Sequence, residues 1–258
     1  MDNPTISEKQ KEILDFLYSF RYLHTNHFQK LFNHKDKTTV KEWLKDLRDR
    51  SFINKVTTEE DSFIDRTKPN IYCLTKLARR QLKQNEKYSK KVLNKVYREK
   101  TRTAKFINHC LFIADVYLLL RNRNEPDQEL EFFTENELNS YEYFPQPLPS
   151  AYLTITTEED TQRYFLEIID QYTPSFVLRN RVKKYLDYAT NGDWEANTNS
   201  EPLPSVLFIC PTSNNKSHIF FYAKAKFEEA FEETFDLYLT TWKLLKSDSQ
   251  DIWEKVVI

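Results

Sequence analysis

A single glycine, Gly192, serves the whole 258-residue chain. Gly-rich loops that cradle phosphates need several glycines at fixed spacing, so neither a GxGxxG turn nor a P-loop can be built here. Nucleotide-driven and Rossmann-type chemistry is therefore not expected. The cysteines remove a second class. Cys73, Cys110 and Cys210 are far apart, odd in number and without a CxxC pair, which indicates neither a disulfide framework nor a zinc ribbon. The chain is long enough for two modest domains, and its 40% hydrophobic and 15% aromatic content can fill their interiors. No stretch approaches the roughly 20 apolar residues of a membrane span. The best candidate, Cys110 to Leu120, is short and broken by Asp115. The start, MDNPTISEKQ, lacks the apolar core of a signal peptide, so a cytoplasmic protein is expected.

Charge is divided unevenly. Residues 1–105 hold 25 Lys and Arg against 14 Asp and Glu, a net of +11; residues 106–258 hold 13 against 25, a net of −12. The formal charge of −1 hides a basic front and an acidic back. Such a split suggests that the front meets a polyanion.

The basic part has the element order of a winged helix. Ile13, Leu14, Leu17 and Tyr18 have helical spacing behind Ser7, a candidate N-cap with Gln10 at the capping-box position. Thr25 to Leu31 is a short second helix with Phe28, Leu31 and Phe32 inward. Lys37 to Arg50 is a third, with Val40, Trp43, Leu44 and Leu47 on one side and Thr38, Lys41, Glu42 and Lys45 on the other. Two runs of β-formers, 52–56 and 70–74, flank a polar stretch and predict the wing hairpin, and Thr75 caps a helix through Leu82. In such domains the third helix enters the DNA major groove and the hairpin loop touches the backbone. Lys37, Lys41, Lys45 and Arg48 are placed to neutralise phosphates. Thr38 and Thr39 are short enough for base-edge or phosphate contact. Arg66 and Lys68 would serve the wing, whose tip Glu59-Glu60-Asp61 is acidic and would be repelled by DNA. Tyr88 to Lys105, with Lys90, Lys91, Lys95, Arg98, Lys100, Arg102 and Lys105, reads as a basic connecting helix. His24, His27 and His34 bring HxxH spacing. No Cys or third close carboxylate completes a four-ligand zinc set, so no metal is expected there.

The acidic part reads as a mixed sheet with helices. A helix is predicted over 104–121, strands over 130–134, 151–156 and 164–169, and a helix over 179–189. Further strands are predicted over 205–210, 218–222 and 237–241, with a helix over 225–235. His109 lies on a mostly apolar helix, where a core histidine is the simplest reading and a catalytic base the alternative. Tyr141, Tyr143 and Phe144 could stack bases but would also pack a loop beside Pro145, Pro147 and Pro149.

Several stretches, taken in order, carry a family resemblance. They are INHCLFIADVYLLL with His109 and Asp115, FFTENEL with Glu135 and Glu137, PLPSAYL around Ser150, and FLEIIDQYT with Glu167 and Asp170. The helix RNRVKKYLDY, the strand PSVLFICPT and the segment LYLTTWKLLKSDSQDIW follow. Together they resemble the replication-relaxation family of plasmid and conjugative-element proteins. The resemblance implies an α+β chain: a winged helix-turn-helix over 1–83, a connecting helix over 84–105, and a domain over 106–258 resembling the PD-(D/E)xK nuclease fold. It implies a DNA-binding accessory role on double-stranded DNA, with a relaxase or replication initiator as partner, or a homodimer.

Departures from that family pattern bear on catalysis. Ser150 stands where the family usually has Asp after the proline, and Glu167 and Asp170 are one residue further apart than the usual Glu-x-Asp. The helix Lys is Lys183 or Lys184, although Arg181 fits its distance to Tyr185 equally well. A Mg²⁺ nuclease holds its ion with anionic oxygens, commonly two carboxylates, and a nearby Lys steadies charge. Ser150 supplies no anion, so a catalytically inactive domain is expected. The alternatives are a divergent endonuclease using Glu167, Asp170, Lys183 and Lys184 with Mg²⁺, and a transcription regulator with a sensing or dimerisation domain.

Overall fold

The computed structural model describes residues 6–56, 68–95, 99–230 and 235–258; the side chain of residue 95 is not among those described. The acidic wing tip at 59–61, Arg66 and Arg98 therefore lie outside the described residues. The chain divides into two compact units, Met1–Leu118 and Leu119–Ile258.

In the first unit, α1 (Glu8–Phe20) begins at the predicted cap. The Ser7 hydroxyl accepts from the Gln10 backbone N–H, and the Gln10 side chain accepts from the Ser7 N–H at 2.9 Å. β1 (Leu23–His24) and α2 (Thr25–Leu31) follow, then α3 (Lys37–Asp49), β2 (Ile53–Val56), β3 (Ile71–Leu74) and α4 (Lys76–Leu82). The three strands form an antiparallel sheet in the order β1-β3-β2, with Ile53 opposite Leu74 and Leu23 opposite Tyr72. Ile13, Leu14 and Leu17 of α1, Phe28 of α2 and Val40, Leu44 and Leu47 of α3 are buried together with Phe52. This is a winged-helix-like unit: three helices closed by a small sheet.

Two expectations are corrected after α4. The continuous helix over 88–105 is replaced by α5 (Lys90–Lys95) and a 3₁₀ turn at Glu99–Thr101. The interruption has a local cause. Glu99 is buried and bonds Arg21 at 2.7 Å, while the Thr103 hydroxyl accepts from the Phe106 N–H and starts a new helix. That helix, α6 (Ala104–Arg123), was expected to open the acidic domain at residue 106. The division between units instead falls within it, because Ile107 and Cys110 pack with Tyr22, Val56 and Cys73 of the first unit.

The second unit carries a six-stranded sheet of β4 (Glu129–Thr134), β5 (Ala151–Thr156), β6 (Thr161–Ile168), β7 (Ser205–Cys210), β8 (Leu237–Thr241) and β9 (Glu254–Lys255), in that order. β4, β5 and β6 are antiparallel, β6, β7 and β8 parallel, and β9 antiparallel to β8. Short helices α7 (Glu135–Leu138) and α9 (Asp193–Asn197) sit in the connections, and α11 (Trp242–Leu245) follows β8. The parallel pairs are joined through α8 (Ser175–Ala189) and α10 (Ser213–Ala230), as parallel strands require. Leu178, Val182 and Tyr185 of α8 and Ile219, Ala223 and Phe227 of α10 meet Phe165, Phe208 and Leu239 of the sheet. Residues 218–222 are thus helical, not a strand. Thr212 accepts from the Asn215 and Lys216 N–H groups and starts α10, and Ile219, Ala223 and Phe227 then fall every fourth residue onto the sheet.

Among the described residues, no helix is long and apolar enough to cross a membrane. Six described residues have positive φ, and only Gly192 is a glycine. Arg21 is the most unusual: at φ 67° and ψ −46°, with the Tyr22 N–H bonded to the Phe20 carbonyl at 2.8 Å, it centres a classic γ-turn.

Candidate nucleic-acid interface and acidic-domain pocket

Asp36 sets the orientation of α3. Its carboxylate accepts from the Thr38 N–H at 2.7 Å, and that bond holds the carboxyl below its ordinary range. From this cap the helix runs Thr38, Lys41, Lys45 and Arg48 at i, i+3, i+7 and i+10, a single stripe, and all four are exposed. Lys37 is exposed beside it, and Thr39 is half-buried. Lys37, Lys41 and Lys45 have no ion-pair partner among the described residues. Arg48 is different: it donates to Asp49 at 3.2 and 2.9 Å, so its charge is partly answered within the helix. Lys68 is exposed at the foot of β3. Trp43, expected inward, is half-buried and lies edge-on to Phe32 and His34 instead.

The HxxH pair is a helix cap. His24 Nδ1 accepts from the His27 N–H at 3.1 Å, and His27 Nδ1 from the His24 N–H at 3.4 Å. The two rings stack with centroids 3.4 Å apart. Asp115 of α6 supplies the close carboxylate that the local sequence lacked, 3.1 Å from His27 Nε2. The three ligand atoms lie within 4.8 Å of one another and are a candidate metal set. Tautomer chemistry opposes it. Two Nδ1 atoms that accept backbone N–H groups leave the protons of the neutral rings on Nε2, and a metal there would have to displace them and both caps. His27 Nε2–H instead donates to Asp115, which is held below its ordinary range despite its burial. His109 is half-buried on α6.

In the second unit, Glu167 and Asp170 come together at the end of β6, in a pocket of about 340 Å³. Leu148, Val177, Arg181 and Lys184 are among the other walls. Lys183 is exposed on α8 outside this lining. The residue that meets Glu167 is neither lysine. Arg181 donates to Glu167 Oε1, to the Pro147 carbonyl, and to the Tyr185 hydroxyl at 3.2 Å; Tyr185 donates to Glu167 Oε1 at 2.5 Å. Burial opposes the Arg181 charge, but Glu167 and Tyr185 outweigh it and hold the guanidinium protonated. Burial, reinforced by the Glu167 charge, keeps the Tyr185 phenol protonated well above its ordinary range. Ser150 Oγ accepts from the Ile168 N–H at 3.1 Å. A divalent cation needs anionic oxygens facing it. Here Glu167 Oε1 is occupied by two donors and the serine hydroxyl has no charge to offer, which leaves Glu167 Oε2 and Asp170 as the anionic oxygens of the pocket. The signal for Arg181 was its i, i+4 spacing to Tyr185 on the apolar side of α8. Tyr143 and Phe144 pack against Trp194, Tyr152 and Phe165, which makes them part of the core.

A three-helix unit closed by a small antiparallel sheet, followed by a mixed α/β domain, defines a protein of the winged-helix-like class. The replication-relaxation family model matches residues 14–203, the larger part of the chain, and the chain belongs to that family. It is a DNA-binding accessory protein acting in replication, relaxation or mobilisation of a plasmid or other mobile element. The match ends before β7. No curated protein matches the chain.

Proposed function

We propose that α3 is the recognition helix and that the acidic domain is a PD-(D/E)xK-like scaffold without nuclease activity. The observation that carries the first statement is the exposed stripe of Thr38, Lys41 and Lys45, with Lys37 beside it and no ion pair to the lysines among the described residues. Lysines without partners retain the counterions whose release drives DNA association. Thr38, at the helix N-terminus, is placed for base edges or phosphate. Arg48 and Lys68 extend the contact along the backbone. The second statement is supported by the Arg181–Glu167–Tyr185 cluster, which uses the expected metal-binding carboxylate for structure. In this reading the acidic domain engages a relaxase, a replication initiator or a second copy of the chain.

The test is duplex binding by the full chain over a salt series. Lys41→Ala with Lys45→Ala should weaken binding and flatten the plot of log affinity against log salt by about 0.9 for each lost phosphate contact. Unchanged affinity and slope would remove α3 from the interface. Incubation with supercoiled plasmid and Mg²⁺ or Mn²⁺ should give no cleavage; nicking that disappears in Glu167→Ala would restore the endonuclease reading.

A further inference from the structure

The acidic unit carries a basic and aromatic face that the α3 reading does not use. It lies along α8 and the turn before it. Arg179, Lys183 and Lys184 are exposed, and none has a hydrogen-bond or ion-pair partner among the described residues. Elsewhere in this unit lysines are commonly answered: Lys216 by Glu254, Lys226 by Glu229 and Lys255 by Asp236. Lys243 and Lys246 also form no ion pair among the described residues, but α8 gathers three such cations on one helix, in a domain whose overall charge is negative. Two acids stand near them, Asp187 one turn along the helix and Asp170 in the pocket wall.

Aromatic surface accompanies the charge. Tyr172 is 84% exposed and Phe176 59% exposed, and Val177 beside them is open as well. Phe176, Arg179 and Lys183 are spaced i, i+3 and i+7, so the ring and two cations share one helical stripe. The 340 Å³ pocket shares Val177 with this face and has Lys184, Leu148 and Ile169 among its other walls.

We infer that this face binds single-stranded DNA, as a surface distinct from the α3 interface and independent of it. Charge selects a polyanion, because the three cations form no ion pair among the described residues and would release condensed counterions on contact. The rings select the single strand. Tyr172 and Phe176 can stack only on bases whose faces are free, and a duplex buries those faces. The pocket then accepts one unstacked base, with Lys184 at its mouth for the adjoining phosphate. Such a surface suits a protein that acts where duplex DNA is opened.

The experiment is fluorescence anisotropy of the full chain with a labelled oligo(dT) and, separately, a duplex. Arg179→Gln with Lys183→Gln and Lys184→Gln should weaken oligo(dT) binding at least tenfold. It should lower the salt slope by about 2, given about 0.7 per single-strand phosphate contact. Phe176→Ala should weaken oligo(dT) binding at least about fivefold with the salt slope kept, the signature of lost stacking. Duplex binding should be unaffected by both, whereas Lys41→Ala with Lys45→Ala should weaken duplex and spare oligo(dT). All substituted side chains are exposed, and circular dichroism confirms that each variant is folded. The inference fails if oligo(dT) does not bind, or if the α8 variants bind it like the parent chain. It fails also if poly-glutamate of matched charge displaces oligo(dT) at equal concentration, which would assign the face to an acidic protein.

Discussion

Removing one side of the Arg181–Glu167 pair should cost far more than removing the whole cluster. Both side chains are under 10% exposed, and Glu167 Oε1 takes hydrogen bonds from Arg181 and Tyr185 together. Arg181→Met leaves a buried carboxylate with the tyrosine hydroxyl as its remaining donor in the cluster. Breaking a buried pair in this way costs about 3–5 kcal/mol. In the triple variant Arg181→Met, Glu167→Leu, Tyr185→Phe no buried charge remains, and apolar replacements of similar volume are close to neutral, within about 1 kcal/mol of the parent chain. Urea unfolding followed by circular dichroism gives both values. A loss below about 1 kcal/mol for Arg181→Met would mean that water already reaches Glu167. A triple variant as unstable as Arg181→Met would refute the desolvation argument, because the damage would then lie in packing. The cluster also sets an alkaline limit. The unfolded Tyr185 phenol ionises near pH 10 while the folded one stays protonated, so its stabilising contribution is intact below pH 10 and falls above it.

Three further outcomes are expected. Burial first, and then the neighbouring His27, push the His24 imidazole down to about 4. Unfolded chains take up that proton near pH 6.5, so stability is flat above pH 6.5 and falls towards pH 4, by about 1–2 kcal/mol once partial exposure is allowed for. The difference between the parent chain and His24→Asn, measured by urea unfolding across that range, isolates this contribution, since Asn keeps the cap without the titration. Adding Zn²⁺ at neutral pH should leave the thermal midpoint unchanged; a rise that vanishes in Asp115→Asn would show that the Nε2 protons are displaced after all. Gly192 has φ +76° and open space where a Cβ would sit, so Gly192→Ala should lose about 1 kcal/mol through backbone strain alone, with Gly192→Asn closer to neutral, both read by urea unfolding.

Much of the architecture was legible because it rests on local chemistry. Ser7 and Gln10 announced the first helix, Thr75 announced α4, and strands 151–156, 205–210 and 237–241 were bounded by their β-forming residues. What was lost depended on partners distant in sequence. His218 to Tyr222 has the composition of a strand, and only the sheet beneath Ile219 and Phe227 makes it helical. The connecting helix broke because Glu99 found Arg21, 78 residues away. The family resemblance pointed to Glu167, Asp170 and a lysine at 183 or 184, but it could not choose Arg181 over the two neighbouring lysines as the partner of Glu167. That choice follows from which face of α8 is buried. Asp115 reached His27 across 88 residues, beyond any motif.

The scarcity of glycine has a consequence for the denatured chain. Glycine is the residue with most backbone freedom to lose, and each replacement at a compatible site is worth about 0.4–1 kcal/mol through the unfolded ensemble. A chain with one glycine thus unfolds into a narrower ensemble, which favours the folded state throughout its length. The opposing cost is concentrated at Arg21, Asn33, Ser51, Asn199 and Ser200, where residues with side chains hold positive φ. At Arg21 the side chain recovers part of that cost, because the guanidinium that pairs with Glu99 also lies over the Phe106 ring. Arg21→Gly would therefore relieve the turn and lose the pairing at once, and a near-zero net change there would conceal two large opposing effects.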